Sequence, residues 1–211
     1  MLPSAIYENR EGVLHIEGVS ALNLAEEYDT PLYVISETRI RENFRRLMDA
    51  LSKCYEKVRI YYSAKANTNL SVLRILNNEG AYLDAVSPGE VYLALKAGFP
   101  PDNILFTGTS VRNDELKFLV ESGVTINFDS LSQLKRLLSF HVPQLLSVRV
   151  NPEIGAGHHA HVITAGKESK FGIWESDVIK AYKMAKDVGV QKFGLQMHIG
   201  SGILDVEPFL L

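Results

Sequence analysis

The chain has 211 residues, 46% of them hydrophobic and 22% charged, with a formal net charge of −3. That balance suits a soluble globular protein with one large core or two small ones, and gives no electrostatic case for nucleic acid or an anionic membrane. The single cysteine, Cys54, excludes an internal disulfide and agrees with a reducing, cytoplasmic compartment; no apolar run reaches membrane-spanning length, and Met1-Leu2-Pro3 does not start a basic-then-apolar signal.

Residues 1–30 differ in texture from the rest. Gly12 to Gly18 reads as a short strand between glycines, and Ser20 caps a short helix that ends near Tyr28, before the break at Thr30-Pro31. Leu32 to Ser36 reads as another strand. Glu37 to Lys53 reads as a helix with Ile40, Phe44, Leu47 and Leu51 on one face. From Val58 a rhythm sets in. Strands are expected at 58–64, 81–86, 103–106, 124–128, 145–150 and 193–199, and helices at 70–79, 88–97, 112–122, 130–139 and 175–188. Gly80, Gly98, Gly123 and Gly189 fall where helices stop. Such alternation predicts an α/β fold with a parallel sheet, either a barrel or an open doubly wound sheet. The connection 151–174, long and rich in Gly and His, breaks the rhythm and is the expected functional loop.

Polar groups collect at the carboxyl ends of these strands. Lys65 ends the first, Asp84 and Ser87 the second, Asp129 the fourth, Arg149 and Asn151 the fifth, and His198 and Ser201 the sixth. This is the active-face distribution of a TIM barrel, whereas an open sheet gathers such groups at one switch point. Polar strand ends also arise simply from meeting solvent, which accounts for Asp129 but not for a lysine, an arginine and a histidine together. Lys65 sits where the apolar strand Val58-Arg59-Ile60-Tyr61-Tyr62 opens into a loop. Desolvation there would lower its pKa toward a usable amine nucleophile; the plain alternative is a lysine that snorkels to solvent. Asn69 or Ser71 is the expected cap of the next helix, and Ser87 with Glu90 forms a capping box around Pro88.

Tyr62-Ser63-Ala64-Lys65-Ala66-Asn67 resembles the YxVKAN segment of the alanine racemase-like (fold type III) pyridoxal-phosphate enzymes, whose lysine holds the cofactor as a Schiff base. His198-Ile199-Gly200-Ser201 resembles their HxGS segment, and Asp84-Ala85-Val86-Ser87-Pro88-Gly89-Glu90 their D-x-x-S-x-G-E turn. Arg149-Val150-Asn151-Pro152, then His159-x-His161-x-Ile163-Thr164 and Lys170-Phe171-Gly172, are similar to the loop of the diaminopimelate decarboxylases within the ornithine, lysine, arginine and diaminopimelate group. Two positions depart from that pattern. Ala165 stands before Gly166, and Thr109 replaces the usual asparagine after Gly108, where no contact is carried over.

The resemblance implies a pyridoxal 5′-phosphate-binding (β/α)8 barrel over residues 31–211, here incomplete at about six of eight strands. It also implies that residues 1–30 are the start of a second β-domain. It casts Lys65 and His198 as catalytic and Lys65, Asp84, Arg149, His198, Gly200 and Ser201 as cofactor-binding. The imidazole would stack on the pyridine ring, the serine would help hold the phosphate, and Arg149 would lie near the ring without an assigned role. Lys170 would face the substrate or a dimer interface. The implied reaction is decarboxylation of meso-diaminopimelate to L-lysine, the last step of lysine biosynthesis, by a cytoplasmic homodimer, with a fragment of this length inactive alone. Alternatives are another basic amino-acid decarboxylase of the same group (ornithine, arginine, lysine or carboxynorspermidine) or a non-catalytic pyridoxal-phosphate-binding barrel. No metal is expected: His158, His159 and His161 lack carboxylate or thiolate partners nearby in sequence.

Overall fold

A computed structural model describes residues 6–152 and 169–210. The chain begins with an antiparallel meander of β1 (Tyr7–Arg10), β2 (Val13–Ile16) and β3 (Val19–Ser20). Its two turns, Glu11-Gly12 and Glu17-Gly18, all have positive φ, as two-residue hairpins of the primed type require. The strand expected between the glycines is β2. The sequence reading missed β1, whose four residues Tyr-Glu-Asn-Arg are all exposed and carry no apolar alternation. Ser20 caps α1 (Ala21–Tyr28), accepting from the Leu22 amide.

One expectation fails here. Leu32 to Ile35 is irregular, and no strand among the described residues pairs with it. β-branched and aromatic composition favours an extended chain, but a strand exists only against a hydrogen-bonded neighbour. Ser36 then caps α2 (Glu37–Ser52) and donates its hydroxyl to Glu17 at 2.5 Å. The two arginines of α2 facing α3, Arg41 and Arg45, both hold the Glu79 carboxylate, at 2.6 Å each.

The alternating region follows the expected order. It runs β4 (Tyr61–Ser63), α3 (Leu70–Asn78), β5 (Tyr82–Ala85), α4 (Pro88–Lys96), β6 (Ile104–Phe106), α5 (Asn113–Glu121), β7 (Thr125–Phe128) and α6 (Leu131–Leu138). It continues with β8 (Leu145–Asn151), β9 (Ile173–Trp174), α7 (Glu175–Asp187) and β10 (Lys192–Met197). Of the described strands in this region only the short β9, which pairs with the last two residues of β8, lay outside the sequence reading. Helix caps are local side-chain hydrogen bonds: Asn69 for α3, Ser87 for α4 and Ser130 for α6.

All strands of this sheet are parallel, and the path β4-β5-β6-β7-β8-β10 keeps chain order without a reversal. A doubly wound sheet reverses; this one is wound in one direction, as a barrel is. The register sorts the side chains into two faces. Leu83, Ala85, Ile104, Phe106, Ile126, Phe128, Leu146 and Val148 share one face and are buried in the core with the apolar stripes of α3 to α7. Ser63, Asp84, Asn127, Ser147 and Gln196 lie on the other. There the Ser147 hydroxyl donates to Asn127 Oδ1 at 2.7 Å, and Asn127 Nδ2 reaches Gln196 Oε1 at 3.4 Å.

The helix cover thins at β10, where Tyr182 of α7 donates to the Gly194 carbonyl and packs against Phe193. Phe193, Leu195 and Met197 of β10 continue the apolar face but are 40%, 56% and 55% exposed. At the other edge an apolar cavity of about 570 Å³ opens between α2, β4 and α3, lined by Ile40, Phe44, Leu47, Ile60, Tyr62 and Leu76. Its lining includes none of the charged groups described below.

Candidate active site

At the end of β4 the chain makes a single tight turn through Ala64–Ala66. Ala64 is fully buried and anchors it, the Asn67 amide closes it onto the Ala64 carbonyl at 3.1 Å, and Tyr62 donates its hydroxyl to the Asn67 carbonyl. Asn67 Oδ1 then takes the Asn69 amide, and Asn69 Oδ1 the Ser71 amide, so the turn runs directly into α3. This geometry lifts Lys65 off the strand. The lysine is exposed, not buried as a strand-end position suggested, because the turn points its side chain away from Ala64.

Asp84, the last residue but one of β5, has both carboxylate oxygens engaged. Thr107 Oγ1 donates to Oδ1 at 2.6 Å and Ser63 Oγ to Oδ2 at 3.2 Å. The following turn has the capping role expected of it: the Glu90 amide donates to Ser87 Oγ, and the Glu90 carboxylate accepts from the Val86 amide at 2.7 Å. Asp84 is separate from that cap and faces Ser63 and Thr107. The sequence reading missed both hydroxyl residues. The period of two was the available signal, since Ser63 pairs with Asp84 and Thr107 lies two residues beyond Leu105, which also pairs with Asp84.

Arg149 on β8 forms an ion pair with Asp129 at 3.5 Å, with side chains only 11% and 5% exposed. Burial lowers the Arg149 pKa, against the opposing pull of Asp129 and Asp84. Phe171 lies under both cations nearby, 4.7 Å from the Arg149 guanidinium and 5.2 Å from Lys170 Nζ. The Gly172 amide donates to Asp129 Oδ1 at 3.1 Å. Gly172 has φ +85°, and a Cβ there would stand 2.9 Å from the Asn151 amide, so only glycine fits. Asp129, which the sequence reading could dismiss as a plain strand end, thus ties the Lys170-Phe171-Gly172 segment to the end of β8. The histidines 158, 159 and 161 and the residues Ile163 to Gly166 lie outside the described residues. Among the described residues no group of His, Cys, Asp and Glu is placed to hold a metal.

His198 follows β10 and is half-buried. Its pKa is lowered, first by burial and then by the charges of Arg149 and Lys65, with a backbone hydrogen bond and Asp84 acting the other way. That mutual influence brings the ends of β4, β5, β8 and β10 into one electrostatic neighbourhood. Ile199 is buried, Gly200 has φ 153°, and Ser201 is exposed. His198, Ile199 and Gly200 line a cavity of about 260 Å³ with Pro152, Met197 and Phe209. A primary amine, a half-buried imidazole disfavoured from protonation, an arginine and a carboxylate thus share one end of a parallel barrel-type sheet.

Comparison with known proteins identifies the family. Residues 38–211 match the family model described as the pyridoxal-dependent decarboxylase, pyridoxal binding domain. The chain is 57% identical over 204 residues to a diaminopimelate decarboxylase of Methanothermobacter thermautotrophicus, covering 96% of this chain and 48% of that protein. It is 36% identical to the diaminopimelate decarboxylase of Archaeoglobus fulgidus, over 97% of this chain and 49% of the relative. The crystal structure of the Methanocaldococcus jannaschii diaminopimelate decarboxylase with L-lysine superposes with a TM-score of 0.86 at 32% identity, covering all of this chain and 51% of that one. The chain therefore spans about half the length of the curated relatives it matches. With its one-directional parallel sheet, its lysine turn and its match over 38–211, the chain belongs to the pyridoxal-dependent decarboxylase family, through the pyridoxal binding domain.

Proposed function

We propose that this chain supplies the cofactor-binding face of a decarboxylase that removes carbon dioxide from meso-diaminopimelate and yields L-lysine. The observation that carries this reading is the convergence of Lys65, Asp84, Arg149 and His198 at the carboxyl ends of their strands. The named relatives supply the substrate class.

The residues present fit pyridoxal 5′-phosphate by their own chemistry. Lys65 offers an exposed primary amine to an aldehyde. His198 offers a flat ring whose protonation burial and two neighbouring cations oppose, suited to lie against another flat ring. Gly200, in a backbone conformation that side-chain-bearing residues rarely adopt, and the exposed Ser201 offer amides and a hydroxyl to a phosphate. When bound, the cofactor supplies an electron-poor ring that accepts the electron pair left behind as the substrate carboxylate departs. Lys65 would hold the cofactor through its aldehyde. Arg149, fixed by Asp129 and Phe171, presents a permanent positive charge beside the site. Asp84 supplies the nearby negative charge, and Lys170 faces the substrate or a second subunit.

In the same reading, residues 1–30 belong with a second β-domain, residues 31–211 form the barrel portion, and the complete enzyme is a cytoplasmic homodimer. No described helix is long and apolar enough to cross a membrane. The test has two parts. Incubation with pyridoxal phosphate, borohydride reduction and peptide mapping should place the adduct on Lys65, and an adduct on a different lysine would refute the assignment. In the protein extended to the length of its relatives, release of lysine from meso-diaminopimelate should exceed turnover of ornithine, arginine or lysine by at least an order of magnitude. Preference for one of those amino acids would move the substrate assignment, and no cofactor binding at all would leave only the fold.

A further inference from the structure

Three neighbouring strand ends are tied together through one carboxylate. Asp84 accepts the Thr107 hydroxyl on Oδ1 at 2.6 Å and the Ser63 hydroxyl on Oδ2 at 3.2 Å. Ser63 is the last residue of β4, and the turn that carries Lys65 begins at the next residue. The tie therefore runs from the end of β6 across β5 to the base of the lysine turn.

Thr107 is itself held from two sides. Its amide donates to the Ala85 carbonyl at 2.8 Å, extending the pairing of β6 with β5. The next residue, Gly108, is buried, and a Cβ there would stand 2.7 Å from the Val86 carbonyl and 2.4 Å from the Phe106 ring. The backbone after β6 thus lies directly against the β5–α4 connection, and this close approach aims the Thr107 hydroxyl at Asp84. A hydrogen bond from a hydroxyl to an ionised carboxylate is short and strong, and fixes the direction of both groups.

We propose that Thr107 is a positioning residue which, through Asp84 and Ser63, sets the placement of the lysine turn and so of the group bound to Lys65. The inference rests on the cofactor reading given above, and extends it to a residue on a strand that contributes no group to that site. Charge is not what Thr107 contributes. It restricts the rotation of Asp84, whose carboxylate also acts on Arg149 and His198 and accepts the Ser63 hydroxyl at the base of the lysine turn.

The test compares Thr107→Val, which keeps the shape and removes the hydroxyl, with Thr107→Ser, which keeps the hydroxyl. Pyridoxal phosphate affinity and the visible circular dichroism of the bound cofactor are measured beside the melting temperature. Thr107→Val should weaken cofactor binding about tenfold and reduce the visible dichroic band, and Thr107→Ser should stay within about twofold of the unsubstituted protein. A purely structural role would lower the melting temperature and leave both cofactor readouts in place, and that result overturns the proposal. If Thr107→Val does not fold, Ser63→Ala decides on the same readouts: an unchanged affinity and band refute the tie, and losses like those expected of Thr107→Val support it. An unsubstituted protein that binds no pyridoxal phosphate would instead refute the cofactor reading, and the inference with it.

Discussion

Arg149 and Asp129 face each other at 3.5 Å, with both side chains almost fully buried. The pair does more than cancel two charges, because Asp129 also receives the Gly172 amide and Arg149 rests on the Phe171 ring. Removing Asp129 takes the ion-pair partner from a buried guanidinium on which Asp84 still acts. Asp129→Ala should cost about 3 kcal/mol of stability, by urea denaturation, since the guanidinium stays charged and buried beside less opposing charge. Asp129→Asn, which keeps an acceptor for Gly172, should cost less. Asp129→Ala combined with Arg149→Met should recover part of the loss, and strict additivity of the two single changes would contradict a coupled pair.

His198 supplies a pH prediction with a definite sign. Its folded pKa lies below the ordinary value of 6.5, through burial and the charges of Arg149 and Lys65. The unfolded chain therefore binds this proton more readily than the folded one. The stability linked to His198 is fully present above pH 6.5 and is lost as the pH falls through the folded pKa. Imidazole titration by NMR should give a midpoint below 6.5, and Lys65→Met should move it upward by removing one of the opposing cations. A midpoint above that value in the unsubstituted protein would contradict the described surroundings.

Gly172 allows a test of the loop closure that does not touch a charged group. Alanine at this position meets the Asn151 amide at 2.9 Å in a backbone conformation with φ +85°. Gly172→Ala should destabilise the protein by about 2 kcal/mol or more, from strain and the displaced Asp129 contact together. Limited proteolysis should then cut faster within residues 169–173. A neutral effect on both would mean that the segment is not held against β8.

The apolar face of the sheet offers the plainest stability test. Phe106 is fully buried among the strands and helices of the core. Phe106→Ala should cost about 3–5 kcal/mol in denaturant unfolding, because the packed surroundings collapse only partly into the space left. A loss below about 1 kcal/mol would be inconsistent with the burial described here.

Much of this molecule is legible from the chain alone, and for local reasons. The alternation of β-branched strands with capped helices, punctuated by glycines at helix ends, appears in the structure within a few residues of where periodicity and caps put it. Those signals act over four to ten residues, so they survive without tertiary context. The motif at Lys65 and the one at His198 were legible for the same reason. Three things were settled only by the fold. Leu32 to Ile35 has strand composition but no partner, because pairing is a property of two segments and composition belongs to one. Lys65 is exposed because a single turn rotates it away from the buried Ala64, a change of direction that composition does not encode. Thr107, Ser63 and Asp129 acquired their partners only when the fold set residues 21 to 43 positions apart side by side. Hydrogen bonds of that reach depend on which strands become neighbours, and the burial of one apolar face under five helices decides that order.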